Sequence, residues 1–533
     1  MMRQDPPVRA REYAAVFLIF TLMVVAQAWW GRAFHVELTG SPDESSHYLS
    51  GLMIHDYLRA GLPWPPMAYA QDYYAHYPKV ALGHWPPVYF LLQTLWALPF
   101  GTAKASALFF HCVLSALFLV ATYALLRRWF EAWLSALACL FALTMPEVAA
   151  LSRTLGSELL LSGLVLAALL FLERFLQRPG LWPAVGFGGS ALLAVLTKGT
   201  AIMLIPLAAV LTTVYRGWLL LLRNRALWCT VTMAAVLAVP WYLLAPDALH
   251  ERVRRFGGPG LYFWKGRIDG TLGFWPEQLG WVGLLLVAAG MFAFLFLRRY
   301  QHLRPFGYLA LSALAVIPLF RFTILVWEVR HFVAMVPFVL IFLSLGILEL
   351  VRLLGGGIPA RAAGALLLVV PALWHVRSLP PKPEIGLASV VRHLAAWPPS
   401  AGPLLIVAGS IGEGAFVSEF AMIDHRPGHR IERGSKLFIK SDFMAKHVVK
   451  RYQSPAELAQ MLSDLPHRAI VLEDGFEPGH YVTEIRGALA APSSGWRIER
   501  EFPRPGRETE RQRFLVWTRA PRSATVTPTA HVH

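Results

Sequence analysis

The sequence has 533 residues, of which 56% are hydrophobic and only 15% are charged, with a mean hydropathy of +0.48. Soluble domains have about a quarter of their residues charged, so this composition excludes an ordinary soluble protein. Apolar runs of roughly 18 or more residues recur, which indicates a helical membrane protein with many spans. The net charge is +16, and the sequence contains no nucleic-acid motif. We attribute the positive charge to arginines in cytoplasmic loops, which are also suited to contact anionic lipid.

Apolar segments taken in chain order predict about eleven transmembrane helices. They lie at roughly 12–30, 105–126, 132–146, 149–172, 181–196, 199–215, 226–244, 279–297, 306–320, 332–351 and 362–376. Arginine clusters follow alternate spans, which by the positive-inside rule places the N-terminal side in the cytoplasm. The first span has arginines before it and no cleavage site after it, so we expect it to be retained.

The first outer segment begins with two adjacent carboxylates, Asp43 and Glu44, a short distance after the first span. Charges beside a membrane are costly unless they have a use. If a helix starts at Ser41 or Asp43, His47 and Tyr48 lie one turn further on and complete a compact acid/base cluster. The alternative is that both carboxylates are only favourable first-turn residues of a helix.

The same outer segment, residues 31–104, is rich in aromatic residues and proline. Its apolar stretch 88–100 is too short to cross a membrane and predicts an interfacial helix entered through two prolines. An aromatic belt without chemistry would explain Tyr89, but it explains His84 less well.

Charged residues also lie at the outer mouths of later spans. Arg153 could pair with Glu147 or Glu158, or hold an anion. Lys198 lies where two short spans meet, so it must snorkel outward or meet a negative partner such as phosphate. A third charged group precedes the tenth span and consists of Glu328, Arg330 and His331.

The outer loop 245–278 combines glycines, aromatic residues and basic residues. This composition is typical of a mobile flap over an anionic, partly apolar ligand, or alternatively of a surface that contacts lipid headgroups.

From residue 377 the spans stop and polar residues become more frequent. Buried strands are predicted at 404–408 and 469–472, with a helix at 454–465 that starts in a capping box of Ser454 and Glu457. This order predicts a small α/β domain at 377–520 on the outer side. The glycine-rich stretch 409–414 is predicted to be a turn, and the tail 521–533 to be disordered.

These elements together resemble the GT-C superfamily of membrane glycosyltransferases, over roughly residues 10–375. The branch they resemble is the protein O-mannosyltransferase and lipid A aminoarabinose transferase group, which is family 39-like. The resemblance is carried by the pair Asp43-Glu44, by His84-x-Pro-Pro-x-Tyr89, by Ser152-Arg153 followed by Glu158, by Lys198-Gly199, and by Glu328-x-Arg330-His331-Phe332 before a span that contains Pro337. His331 stands where the family often has Tyr, and Glu158 where it often has Asp.

The resemblance implies an α-helical polytopic membrane protein, with residues 1–376 as the GT-C-like catalytic domain. It also implies an inverting transfer of a sugar from a polyprenyl-phosphate donor to a hydroxyl of a lipid, glycan or protein, at the outer face of a bacterial-type inner membrane. Asp43 would act as general base, and a single displacement would invert the anomeric centre.

The leaving lipid phosphate needs cations and not a general acid. The resemblance therefore assigns catalysis to Asp43 and Glu44, and donor phosphate binding to Arg153, Lys198, Arg330, His331, His84 and Tyr89. Residues expected to shape the site or bind the acceptor are His47, Tyr48, Glu158 and Glu328. A divalent metal ion, if one is used, would be held by Asp43, Glu44 and His84, although several relatives manage without one.

Two other classes of function fit the composition. A transporter or flippase of lipid-linked sugars would carry buried charges along a path, but the sequence has no evident inverted repeat and its charges cluster on one face. A non-catalytic receptor would not account for Asp43 and Glu44.

Overall fold

The computed structural model describes residues 10–81, 83–244, 261–323, 328–441, 448–475, 480–505 and 512–519. Residues 245–260 of the predicted flap and all of the predicted tail 521–533 lie outside these ranges. The chain divides into two compact units. The first unit contains Met1–Phe34 and Ala81–Pro381, and the second contains His35–Val80 and Lys382–His533.

Both units contain many helices. In chain order they are α1 Ala10–Trp30, α2 Glu44–Arg59, α3 Pro66–His76, α4 Val88–Phe100, α5 Lys104–Leu126, α6 Ala132–Thr144, α7 Pro146–Ser152, α8 Glu158–Gln177, α9 Leu181–Val195, α10 Leu204–Val214, α11 Trp218–Arg223, α12 Arg225–Leu244, α13 Leu261–Phe296, α14 Arg304–Thr323, α15 Val336–Leu353, α16 Ile358–Ser378, α17 Leu387–Leu394, α18 Ser410–Ile423, α19 Gly434–Leu437, α20 Pro455–Asp464 and α21 Tyr481–Leu489. Short 3₁₀ helices precede α10, α14 and α15, at Gly199–Met203, Arg298–Leu303 and Val329–Met335.

Among the described residues, eight helices are long and apolar enough to cross a membrane, or nine if the bent pair α6 and α7 forms one span. They are α1, α5, α8, α12, the part of α13 from Ile268, α14 and α15 with the 3₁₀ helices before them, and α16. The predicted spans 181–196 and 199–215 correspond to shorter apolar helices, α9 and α10. The predicted class, a helical polytopic membrane protein, is confirmed.

The predicted span 149–172 is wrong at its start. Pro146 ends the straight course of α6, and α7 turns away from it by 75°. A proline cannot continue the helix behind it because it lacks the backbone N–H. Ser152 and Arg153 therefore end α7, and the spanning helix α8 starts only at Glu158.

The predicted interfacial helix is present as α4, from Val88 to Phe100. Pro87 stands at its N-cap position, and the Val88 N–H donates to the Leu196 carbonyl oxygen at 2.9 Å. This bond joins the start of α4 to the chain just after α9.

In the second unit, a five-stranded sheet has the order β2 (Ile431–Arg433), β1 (Leu404–Val407), β5 (Ala469–Asp474), β7 (Arg513–Arg519) and β6 (Trp496–Pro503). The first three strands are parallel, with Leu404 opposite Ala469, and the last two are antiparallel. A separate antiparallel pair is formed by β3 (Ile439–Ser441) and β4 (Val448–Lys450). The predicted small α/β domain is thus present.

Two local predictions for this domain have opposite outcomes. Ser454 is confirmed as the cap of this helix, because its Oγ accepts from the Glu457 N–H at 3.2 Å, while Glu457 Oε2 accepts from the N–H of Gln453, one residue before the cap, at 2.6 Å. The predicted turn at 409–414 is wrong, because α18 starts at Ser410. Burial of this helix in the domain outweighs the low helix propensity of its glycines.

The first outer segment groups with the C-terminal residues. Contacts place 35–80 in the second unit, whereas the sequence prediction assigned it to the transmembrane domain. The boundary at Pro381 lies close to the predicted one at 376.

Candidate active site

The first cluster of predicted residues lies in the first unit, where three helices begin. Glu158 is the first residue of α8, Lys198 precedes the 3₁₀ helix Gly199–Met203, and Glu328 precedes the 3₁₀ helix Val329–Met335. Backbone N–H groups at a helix start carry partial positive charge and favour anions.

Glu158 is the centre of this cluster. Its Oε1 atom lies 2.6 Å from Lys198 Nζ and 3.5 Å from Arg330 Nε. Arg330 Nε is also 3.0 Å from Glu328 Oε2. Glu158 and Lys198 are buried, whereas the side chain of Arg330 is 24% exposed. Two cations that lie far apart in the sequence therefore meet at one carboxylate.

His331 is fixed at the edge of the same cluster. Its Nδ1 atom accepts from the Glu328 N–H at 2.9 Å, and the Glu328 side chain accepts from the backbone of His331 in return. This reciprocal capping box holds both side chains at the start of the 3₁₀ helix. His331 is buried.

The two aromatic candidates lie at the start of α4: Tyr89 is its second residue, and His84 comes four residues before the helix. Tyr89 is buried and its ring contacts those of Phe110 and His111, at centroid distances of 6.2 and 6.5 Å. The His84 ring packs edge-on against Trp85 at 4.7 Å. The structure thus gives Tyr89 a packing environment, and its predicted donor contact stays a prediction.

Arg153 has different partners from those predicted. Its Nε donates to the Ala149 carbonyl at 3.0 Å and its NH1 to the Pro380 carbonyl at 3.1 Å. A Cβ added to Gly31 would lie 2.5 Å from the same NH1 atom, so the guanidinium packs closely against that glycine. Pro380 lies just after the last membrane helix, so Arg153 is attached to that part of the chain. These contacts favour a structural role for Arg153 over phosphate binding.

The second cluster lies in the second unit, at the start of α2. Asp43 is the N-cap residue of α2 and is half-buried, and its carbonyl accepts from the His47 N–H at 2.9 Å. The predicted helix start is confirmed, but the Asp43 side chain makes no capping bond within it.

Glu44, His47 and Tyr48 follow Asp43 into the interior. Glu44 is fully buried, with Oε1 at 2.6 Å from Lys382 Nζ and Oε2 accepting from the Gly40 N–H at 2.8 Å. His47 is buried, and burial raises the pKa of the Tyr48 hydroxyl. Since a cation already contacts Glu44, this residue does not fit the predicted metal site with Asp43 and His84.

Lys79 was not predicted from the sequence and lies in the second cluster. Its burial, with Arg433 close by, lowers its pKa to about 8, while Glu413 and Asp43 act in the opposite direction. The lysine interacts electrostatically with the predicted base across 36 residues of sequence. The only signal for Lys79 in the sequence was its position directly after the stretch 63–78, which is rich in proline and tyrosine.

Among the residues that the structure describes, no three His, Cys, Asp or Glu side chains are grouped so that they could hold a metal ion.

Comparison with known proteins gives a family match within the first unit. A family model described as dolichyl-phosphate-mannose-protein mannosyltransferase matches residues 84–243. This range includes His84, Tyr89, Arg153, Glu158 and Lys198. No curated protein sequence matches the chain.

Solved structures match over most of the chain. ArnT from Cupriavidus metallidurans bound to undecaprenyl phosphate has a TM-score of 0.60 and 14% identity, covering 96% of this chain and 99% of that one. Apo ArnT from the same organism has a TM-score of 0.55 and 14% identity, covering 95% and 98%. The apo oligosaccharyltransferase of Archaeoglobus fulgidus has a TM-score of 0.55 and 12% identity, covering 88% and 70%.

Over residues 84–243 the chain is therefore similar to a family of mannosyltransferases. Over most of its length its fold is similar to those of ArnT and the archaeal oligosaccharyltransferase.

Proposed function

We propose that this membrane protein is a glycosyltransferase of the GT-C superfamily, of the type that includes ArnT and the protein mannosyltransferases, and that it moves a sugar from a polyprenyl-phosphate donor to a hydroxyl acceptor, with inversion, at the outer face of a bacterial cytoplasmic membrane. The observation that carries the donor assignment is the convergence of Lys198 and Arg330 on Glu158 at three helix starts. The ArnT structure that contains undecaprenyl phosphate supports the same class of donor.

Lys198 and Arg330 are suited to the leaving phosphate. As the bond between the anomeric carbon and the phosphate oxygen breaks, negative charge grows on that oxygen, and cations held in place stabilise it without reorganisation. Charge-assisted hydrogen bonds from lysine and arginine to phosphate are about twice as strong as neutral ones. Glu158 keeps both cations in position before the donor binds, and the phosphate would share or replace it as their partner.

Asp43 is assigned as the general base. The acceptor hydroxyl gives its proton to the Asp43 carboxylate while its oxygen attacks the anomeric carbon, and the lipid phosphate leaves from the opposite side. One displacement of this kind inverts the centre. The half-buried position of Asp43 at the N-cap of α2 and its electrostatic interaction with Lys79 support this role.

The test is turnover of defined donors. Purified protein in lipid is incubated with a panel of polyprenyl-phosphate sugars and a mixture of hydroxyl acceptors, and the products are followed by mass spectrometry. We expect loss of one donor and release of free polyprenyl phosphate. If every donor stays intact and lipid-linked sugar crosses the bilayer of sealed vesicles instead, the protein is a transporter and the proposal is wrong.

A further inference from the structure

The residues on either side of the proposed base, Asp43, contact the segment that follows the last membrane helix. Lys382 Nζ contacts Glu44 Oε1 at 2.6 Å, and Glu44 Oε2 accepts from the Gly40 N–H at 2.8 Å. Glu44 is 0% exposed and Lys382 is 6% exposed. Asp43 therefore lies between Gly40 and Glu44, two residues that a hydrogen bond joins, and Glu44 is in turn held by its buried ion pair with Lys382.

A second buried carboxylate ties the same two segments together. Glu37 accepts from the Ile385 N–H at 3.3 Å and from the Ala388 N–H at 3.1 Å, at the start of α17. Thr39 Oγ1 donates to the Pro383 carbonyl at 2.6 Å. Glu37 thus satisfies helix-start N–H groups that have no partner within α17, although it is more than 340 residues away in the sequence.

Helix α18 packs against the first turn of α2. Ser45 Oγ lies 3.3 Å from Ser418 Oγ. A Cβ added to Gly414 would lie 3.0 Å from Ser45 Oγ and 3.0 Å from Lys79 Cε. Gly414 is therefore needed for the close approach of α18 to Ser45, two residues after the base.

We propose that the segment Lys382–Ala388, with the Gly414 and Ser418 face of α18, is a positioning element for Asp43. It fixes the backbone of 37–45 and so sets the direction of the carboxylate. This inference rests on the proposed function of Asp43 as the base. It gives the C-terminal unit a part in the chemical step and makes Glu44 a positioning residue beside the catalytic one.

Positioning explains these contacts better than stability alone does. A buried ion pair often contributes little net stability, because removing two charges from water offsets their attraction. A misplacement of a reacting group by about 1 Å, in contrast, can lower a rate by about 100-fold. The contacts concentrate on residues 37–45, the stretch that carries the base.

The first test uses Lys382. In single-turnover assays of the full-length protein with its polyprenyl-phosphate donor, Lys382→Met should lower the rate of the chemical step by about 10- to 100-fold and leave the Kd for the donor unchanged. Lys382→Arg keeps the cation and should recover most of the rate. The matched control is Lys450→Met, which removes an exposed lysine that pairs with Glu484 in the same unit; its rate should equal that of wild type.

The second test uses Glu37 and avoids an unpaired buried charge. Glu37→Gln keeps one of the two acceptor oxygens, so it can accept from Ile385 or from Ala388, whereas Glu37→Ala removes both. We expect Glu37→Ala to lower the rate and Glu37→Gln to lower it less. The double variant Lys382→Met/Glu44→Gln removes both charges of the buried pair, so it folds even where Lys382→Met alone does not, and it should still be slow.

Each outcome decides the inference. Full rates in folded Lys382→Met and Glu37→Ala would overturn it, as would variants that lose only the yield of folded protein and keep the rate per folded molecule. If Asp43→Asn is inactive while those variants are fully active, only the positioning inference is wrong. If Asp43→Asn is itself active, the proposed function of the base is wrong.

Discussion

At the scale of single residues, Glu158 connects groups that the sequence presents separately. The sequence analysis predicted Glu158, Lys198 and Arg330 as site residues. The structure places Lys198 Nζ at 2.6 Å and Arg330 Nε at 3.5 Å from the Glu158 carboxylate. Their mutual contact could not be predicted, because 172 residues separate Glu158 from Arg330 and only the packing of the helices brings them together.

Two further predicted residues, Arg153 and Glu44, have partners that could not be predicted, for the same physical reason. The partners of Arg153 and Glu44 are Pro380 and Lys382, which come from a segment that reads as a simple proline-rich linker. Neither local propensity nor hydrophobic periodicity carries information about such contacts. Lys79 was missed for this reason too, since only the fold places it beside Asp43.

Removing the Arg330 guanidinium should weaken donor binding. Because a charge-assisted hydrogen bond contributes about 1.5–3 kcal/mol, we expect Arg330→Ala to raise the Kd for polyprenyl phosphate by about 10- to 100-fold. Isothermal calorimetry in detergent would measure it. Arg361→Ala is the control, since Arg361 is exposed and pairs with Glu131 in the same unit. An unchanged Kd in Arg330→Ala would refute the phosphate role.

At the scale of elements, local signals predicted what is local. Helix α4, strands β1 and β5 and the Ser454 cap of α20 all follow from hydrophobic runs, proline positions and short-range hydrogen bonds. The errors occur where tertiary packing outweighs such signals. The glycine-rich start of α18 is helical because its residues are buried in the domain. The break between α7 and α8 coincides with the polar stretch 153–157, which the predicted span 149–172 wrongly included.

The loop between α18 and β2 connects the first outer segment to the C-terminal domain. Asp424 Oδ1 lies 2.7 Å from His429 Nδ1, and Asp424 Oδ2 accepts from the Tyr77 hydroxyl at 3.1 Å. Arg426 Nε donates to Asp56 Oδ2 at 2.7 Å. The loop thus holds α2 and α3, the helices on either side of the turn after the base.

This loop predicts a pH dependence of stability. The hydrogen bond to Asp424 raises the pKa of His429 above 6.5 although burial opposes it. Burial would raise the pKa of Asp424, but the bonds from His429 outweigh it and hold that pKa below 3.8. The contribution of His429 is therefore complete below about pH 6.5 and is lost as the pH rises through its raised pKa, while that of Asp424 is lost only in acid.

Thermal unfolding followed by tryptophan fluorescence should show this directly. The melting temperature of wild type should fall from pH 6 to pH 9, and His429→Asn should flatten that decline. His425→Asn changes an exposed histidine of the same loop and should keep the wild-type profile. A His429→Asn protein with an undiminished decline would show that this pair is not the cause.

At the scale of the whole molecule, hydropathy and charge predicted the fold class, because a membrane imposes the length and apolar character of each span. The grouping of residues 35–80 with the C-terminal residues could not be predicted from the sequence. It depends on contacts such as Glu44 with Lys382 and Asp56 with Arg426, each between residues more than 330 positions apart.

The predicted topology can be tested by fusion. A phosphatase that is active only outside the cytoplasm should be active when fused after residue 533, because the C-terminal unit is predicted to lie on the outer side. The same reporter fused after Arg216, in a predicted cytoplasmic loop, should be inactive. If only the fusion after Arg216 is active, the protein has the opposite orientation, and the proposal of a reaction at the outer face is wrong.

The central claim is that Asp43 is the base of a glycosyl transfer, and single-turnover assays of Asp43→Asn test it most directly. Wild type and variant are given the same polyprenyl-phosphate sugar, and released polyprenyl phosphate is measured by mass spectrometry alongside the donor Kd. Asp72→Asn, an exposed carboxylate on α3, is the matched control. We predict a rate lower by about 100- to 10,000-fold in Asp43→Asn alone, with an unchanged Kd. Wild-type turnover by that variant would contradict the account.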